Sequence, residues 1–224
     1  MVFCKDKEPC RWRRRKEARP EEILDAALEL FTEKGFAATR MNDVARQAGI
    51  SKGTLYLYFE SKEAIFKSVV HELISPQLEQ VEKIVDSYGG SSADLLASLI
   101  RGWWETIGRT KLSSIPKLMI SEAGNFPELA EFFVDNVVKR ARRLYSRVIS
   151  RGIVEGEFRA YDPEAAARLI VAPLVYITVY RHSLQMYDHN MDEDEYIEMH
   201  IEFALNSLRK NNDTNGAGKH DQQN

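Results

Sequence analysis

The sequence predicts an all-α chain in two parts: an N-terminal three-helix helix-turn-helix domain, then a larger C-terminal helical domain. Three observations carry this. Between Thr39 and Lys62 the run TRMNDVARQAGISKGTLYLYFESK reads as helix, tight turn, short polar helix and the start of another helix. After Phe66 the chain continues in long segments of amphipathic helical spacing. No segment alternates as a half-buried strand does, and no internal repeat is evident.

A first helix begins near Pro20, with Glu21 and Glu22 in its first turn, where carboxylates complement the helix dipole. The next helix starts near Thr39, whose hydroxyl is of a kind that caps a helix. Met41, Val44, Ala45 and Ala48 then share one face. Gly49 ends that helix because glycine takes a left-handed backbone without penalty. Ile50 fills the corner, and Ser51 caps the third helix. Leu55 and Phe59, four apart, anchor it to a core, which leaves Lys52, Thr54, Tyr56 and Tyr58 facing outward.

The spacing predicts a fourth helix over about 62–86, ending before Ser87-Tyr88-Gly89-Gly90, a fifth over 92–108 and a sixth over 112–123. Asn125-Phe126-Pro127 is a break, and Pro127 opens a seventh helix to about Arg151. Gly152 and Gly156 mark a connection. Asp162-Pro163 is a strong start signal for an eighth helix, with Asp as cap and Pro at the first position. Pro173 inside that helix removes one ladder bond and is expected to kink it. An acidic loop from Asp188 to Glu195 leads to a ninth helix at about 193–209. These readings divide the chain into a basic flexible arm (1–17), the helix-turn-helix domain (18–66), the C-terminal domain (67–210) and a polar, disordered tail (211–224).

The outward face of the third helix suits double-stranded DNA. Lysine neutralises phosphate, Thr and Tyr hydroxyls donate to phosphate oxygens, and Thr can also reach a base edge. Gly53 has no side chain, so the backbone can approach the duplex closely. Lys62 opens the next helix, whose first N–H groups also favour an anion.

The run GFAATRMNDVARQAGISKGTLYLYFESKEAIF resembles the N-terminal domain of TetR/AcrR-type bacterial transcriptional regulators. The matching features are Phe31 and Gly35-Phe36, Thr39, Ala45, Ala48-Gly49, Ser51 to Tyr56, Tyr58-Phe59, Ser61-Lys62-Glu63 and Phe66. The resemblance covers roughly residues 18 to 68. It implies an all-helical homodimer that binds a palindromic operator and usually represses until a small ligand releases it. It also implies that Thr39, Lys52, Gly53, Thr54, Tyr56, Tyr58 and Lys62 fall at DNA-contacting positions. Arg40 stands where the family commonly has a small hydroxyl residue; it either adds a phosphate contact or is simply solvated.

The 224 residues allow one large or two small domains, and the net charge of −3 argues against a general nucleic-acid coat. Its distribution is more telling. Residues 1–60 hold 12 Lys/Arg and 10 Asp/Glu, net +2, which leaves the remainder at −5. Much of the positive charge lies in Arg11-Trp12-Arg13-Arg14-Arg15-Lys16. Such an arm either follows the DNA backbone or a minor groove, or only adds non-specific attraction. No apolar run follows it, so it is not a secretory signal. The longest apolar stretch, Leu169 to Tyr180, is too short to span a bilayer. The expected location is therefore cytoplasmic. Cys4 and Cys10 lack zinc-site partners, and a disulfide is not expected there.

In the eighth helix Ala165, Ala166, Leu169, Ile170, Val171, Leu174, Val175, Tyr176, Ile177 and Val179 leave no polar face, so it needs cover on more than one side. Helix nine carries Ile197, Ile201, Ala204, Leu205 and Leu208 on one stripe. The natural cover is a second copy, a four-helix interface formed through about 162–185 and 193–209. Trp103, Trp104, Met119, Phe126, Phe133, Tyr145 and Tyr176 are candidate lining groups for a small apolar or aromatic ligand; the same residues equally suit a packed core. His182, His189 and His200 do not make a metal pattern. No cofactor is expected beyond a small-molecule effector. The expected function is a dimeric, ligand-responsive, sequence-specific DNA-binding regulator, with repression favoured over activation. One alternative is a regulator whose second domain only dimerises or docks a protein. The other, a helical enzyme, finds no nucleophile–base pair, phosphate loop or cofactor fingerprint.

Overall fold

Nine helices and one antiparallel bridge, Phe158 with Arg209, make up the regular structure of residues 20–210, the part of the chain that this computed structural model describes. The arm at 1–17, with Cys4, Cys10 and the arginine run, and the tail at 211–224 lie outside the described residues.

The first three helices are α1 (Pro20–Lys34), α2 (Met41–Gln47) and α3 (Lys52–Tyr58). Helix α4 runs over 62–87, as Lys62–Val69, a π turn Val70–Ile74 and Ser75–Ser87. Helix α5 spans 92–108 and closes in a π turn, Trp104–Gly108. Helix α6 spans 111–122, opening with a 3-10 turn, Lys111–Ser113. Helix α7 covers 127–154 with a π turn at Val134–Val138. Helix α8, Pro163–Leu184, runs through Pro173 and ends in the π turn Tyr180–Leu184; α9 is Glu193–Leu208.

Capping explains several of these boundaries. The Ser51 hydroxyl accepts from the Thr54 N–H at 3.0 Å, and Ser61 accepts from Ala64 at 3.1 Å. The Asp162 carboxylate accepts from the N–H groups of Glu164 and Ala165. Gly49 sits at φ +67°, the left-handed conformation that ends α2. Thr39 differs from expectation. It is buried, and its hydroxyl donates backwards to the carbonyls of Gly35 (2.8 Å) and Leu30 (3.2 Å). The chain turns at Gly35 (φ +82°) and lays Thr39 over the end of α1. Arg40 therefore takes the cap position of α2, and the Asp43 carboxylate accepts from its N–H at 3.3 Å.

Two apolar cores hold the molecule together. In the first, Leu28, Phe31, Phe36, Val44, Leu55 and Phe66 of the head pack with Leu112, Ile115, Leu118 and Phe133 from α6 and α7. The boundary expected at 66/67 falls inside α4, and the head shares its core with the domain behind it. The second core joins α5, α7, α8 and α9 through Leu96, Ile100, Val148, Ile149, Leu174, Ile177 and Ile201. Burial of each such side chain contributes about 1.5–3 kcal/mol.

Helix α8 is covered on one side by Ala167, Ile170, Leu174 and Ile177. Its other face stays open: Leu169 is 75% exposed and Tyr176 48%, beside Phe203 (69%) and Met199 (48%) of α9. With its π turn, α8 reaches 22 residues, and its most apolar 18-residue window has a mean hydropathy of 1.2. By length and composition it is thus long enough to cross a membrane, unlike the shorter apolar run at its centre.

Candidate DNA interface and ligand cavity

Helix α3 is seven residues long, and successive residues turn by about 100°. Leu55 is fully buried, so positions 53 and 57 lie on the opposite side, at the crown of the helix. Lys52 and Tyr56 form one flank, Thr54 and Tyr58 the other. Lys52, Gly53, Tyr56 and Tyr58 are exposed, and Thr54 is half-buried. The Lys52 ammonium lies 5.7 Å from the centre of the Tyr56 ring, and Thr54 Oγ1 is 2.8 Å from Ser51 Oγ. Arg40 is exposed at the start of α2, and a shallow depression brings Arg40, Lys52 and Tyr56 together with Glu60. This is a convex ridge carrying cations and hydroxyls on its flanks, a shape that enters a major groove.

Sequence reasoning passed over Leu57. It is 84% exposed at the crown, next to Gly53. An apolar side chain there can meet a thymine methyl. The available signal was its position two residues from the core residue Leu55, which reverses the face on a helix.

Thr39 and Lys62, two further expected DNA contacts, line the same depression, and their polar groups also bond within the head. The Thr39 hydroxyl is used inside the head, as described. Lys62 Nζ donates to the carbonyls of Phe36 (2.6 Å), Ala37 (3.0 Å) and Thr39 (3.3 Å). An ammonium has three protons, so these bonds occupy it fully. The same charge lies 4.6 Å from the centre of the Phe36 ring and 5.3 Å from that of Phe126. Lys62 thus clamps the α1–α2 loop from the edge of that depression. Glu122 of α6 grips the same loop from the other side: its Oε1 accepts from the Ala37 N–H at 3.2 Å, and its Oε2 from Asn125 Nδ2 at 3.1 Å.

Behind the head, α4 to α7 enclose an apolar cavity of about 220 Å³. Its floor is Ile74, Leu112, Ile115 and Phe133; Leu95, Leu99, Leu144 and Tyr145 form the inner wall. Ile84, Ser98, Gly102 and Thr106 are exposed and frame a mouth between α4 and α5. Of the seven candidate lining residues, Trp103, Phe133 and Tyr145 meet here. Trp104 turns to the other side of α5, where its Nε1 donates to Asp194 Oδ1 at 2.8 Å between the guanidinium groups of Arg109 and Arg181. Adjacent residues on a helix point some 100° apart, and of the two tryptophans only Trp103 is turned to the cavity. Met119 is buried in the core shared with the head. Phe126 packs edge-on against Phe36 at 4.8 Å. Tyr176 is on the open face of α8, with Tyr196 at 6.2 Å.

Both inner histidines are committed to hydrogen bonds. His182 Nε2 is 2.8 Å from Ser113 Oγ, and His200 Nε2 is 2.9 Å from the Ile170 carbonyl. Burial lowers the pKa of each; for His182 the charges of Arg181 and Lys117 add to that effect, and for His200 the carbonyl opposes it.

A family model described as bacterial regulatory proteins, tetR family, matches residues 23–69, and one described as tetracyclin repressor-like, C-terminal domain, matches 88–193. The transcriptional repressor KstR2 of Rhodococcus jostii is 30% identical over 157 residues, 69% of this chain and 76% of that protein. The fatty acid metabolism regulator protein of Bacillus subtilis is 26% identical over 158 residues, 69% of this chain and 80% of its own length. The crystal structure of FadR from Bacillus subtilis in complex with stearoyl-CoA superposes with a TM-score of 0.70 at 22% identity, covering 85% of this chain and all of that one. Head, ridge and helical domain thus agree with both family models and with the relatives, and the chain belongs to the TetR family of bacterial transcriptional regulators.

Proposed function

We propose that the chain is a homodimeric repressor that binds a two-fold symmetric operator through α3 and leaves it when a small apolar ligand fills the cavity between α4 and α7. The observation that carries this reading is the double membership of Ile74, Leu112, Ile115 and Phe133. Each lines the cavity, and each belongs to the apolar core of the head. A ligand pressing on the floor of the cavity presses on residues that set the attitude of α1 and α4. Helix α6 offers a second route, since Leu112 and Ile115 line the cavity and Glu122 at its far end holds the loop before α2. A ligand shifts the equilibrium only as far as it prefers the DNA-free arrangement, and bound DNA must weaken the ligand by the same factor.

The open face of α8 and α9, with Leu169, Tyr176, Met199 and Phe203, supports dimerisation through these helices. Repression is favoured because the relatives include a named repressor. The neighbour bound to stearoyl-CoA supports a ligand with a long apolar part. Walls without an acidic or basic side chain favour binding over catalysis. A domain that only dimerised would have a filled interior, so the cavity favours a ligand. Regulation of this kind places the protein in the cytoplasm, with its DNA.

Gly102 provides the test. It lines the mouth, and a Cβ built on it meets nothing within 4 Å. Gly102→Phe should fold and bind operator as the parent does, yet ignore apolar compounds that release the parent from DNA. A variant that still responds to them would remove the cavity from the mechanism.

A further inference from the structure

We propose that the cavity selects an uncharged, chain-like ligand that carries an oxygen acceptor, and that the Tyr145 hydroxyl is the donor that recognises it. This rests on the reading of the cavity as a ligand site. Tyr145 is on α7, 5% exposed, with its ring in the inner wall beside Leu144 and Leu99. Its hydroxyl is bonded to no described residue, and burial alone pushes its pKa up, with no hydrogen bond acting on it. A buried tyrosine nearly always finds a partner for its O–H. The side chain lines the cavity, and its hydroxyl oxygen is not among the polar atoms sealed from solvent, so it is open to a ligand oxygen as a neutral donor.

The other polar groups sharpen the class. The Thr106 hydroxyl donates to the Gly102 carbonyl at 2.8 Å and is already engaged. Ser98 is exposed at the mouth, and Gln77 is half-buried in the α4 wall. Among the described residues no Lys, Arg, His, Asp or Glu lines the cavity, so a buried carboxylate or ammonium would meet no counter-charge there. The nearby Arg140 is held outside by Glu82, at 3.0 Å. Along α4 the lining runs from Ile74 to Ile84, ten residues or about 15 Å of helix. A narrow cavity of that length fits a chain better than a compact ring system. Ketones, alcohols and esters satisfy these conditions at the buried end; a free fatty acid does not.

The test uses the full chain and four probes: 2-octanone, octan-1-ol, octanoate and the oxygen-free butylbenzene. Binding is followed by calorimetry and by tryptophan emission, since Trp103 lies in the wall. The parent should bind the ketone and alcohol at least tenfold tighter than octanoate. Tyr145→Phe should weaken the ketone and alcohol by about fivefold, the effect of one neutral hydrogen bond, and leave butylbenzene unchanged. Without ligand its melting temperature should equal or exceed the parent's, because an unpaired hydroxyl has gone. Equal loss for all probes, no loss for any, tight octanoate binding, or a lower melting temperature would each overturn the role of Tyr145. If no probe binds the parent and Gly102→Phe changes nothing, the cavity reading itself fails, not Tyr145 alone.

Discussion

Lys52 holds its ammonium near the Tyr56 ring on an exposed ridge, whereas Lys62 uses all three of its donors on carbonyls of the α1–α2 loop. The two give opposite signatures when removed. Lys52→Ala should leave the melting temperature unchanged and reduce the slope of log affinity against log salt by about one, the loss of a phosphate contact. Lys62→Ala should lower the stability of the head by about 1–3 kcal/mol, the loss of its charged hydrogen bonds to part-buried and exposed carbonyls, and keep the salt slope of whatever binding remains. A slope reduced by one in Lys62→Ala at parental stability would return Lys62 to the phosphate. Residue type alone could not separate these lysines. Both follow a capping serine at the first position of a helix, and only the tertiary approach of Phe36, Ala37 and Thr39 decides between them. Thr39 differs for the same reason: its hydroxyl has carbonyl acceptors behind it and backbone N–H donors ahead, and the turn at Gly35 selects the earlier helix. Leu57 was overlooked because an exposed leucine looks like noise until its side of the helix is known.

Helix α6 connects the two ends of the proposed mechanism. Its first turns line the cavity and its last carries Glu122, which accepts from the Ala37 N–H. Glu122→Ala should leave inducer affinity for the free protein near parental and reduce by severalfold the factor by which inducer weakens DNA binding, a factor commonly 5–150 in coupled proteins. An unchanged factor, in a variant that still binds DNA, would exclude this route. The limits of α6 were legible, because Asn125 and Pro127 interrupt the pattern and the amphipathic spacing between them and Gly108 is clear. The ends of α3 and α8 were legible from Ser51 and Asp162, whose side chains cap in the expected way. The π turns inside α4, α5, α7 and α8 were not. A π turn adds one residue to a turn, and the apolar spacing does not show where, even though Gly108 closes one such turn and Pro76 follows another. In α4 it lies between the cavity floor and the head, so it bears directly on how α4 is aimed.

For the whole molecule, the half-buried His182 and His200 couple stability to pH. Both His182 and His200 have pKa values held below the ordinary 6.5. The unfolded chain therefore takes up these protons at a higher pH than the folded one, and stability falls as pH drops through and below 6.5. The melting temperature should decline from pH 7 to pH 5, and replacing both residues by Gln should flatten that decline; an equally steep decline in the double variant would assign it to other groups. The all-helical architecture was readable from spacing and caps. The sharing of one core between head and ligand domain was not, since a helical period shows that a face is buried but not against what. The proposed dimerisation sits between these cases: the apolar excess of α8 calls for cover, and the exposed large apolar side chains of α8 and α9 include Leu169, Tyr176, Leu184, Met199 and Phe203. A symmetric dimer that reads DNA through α3 makes one demand that no monomer or backbone binder makes. The most direct measurement is selection of bound fragments from random duplex DNA by the purified protein at near-physiological salt. The account predicts a two-fold symmetric motif with half-sites about one helical turn apart or somewhat more. A folded, dimeric protein that enriches no motif, or enriches an asymmetric one, would contradict it.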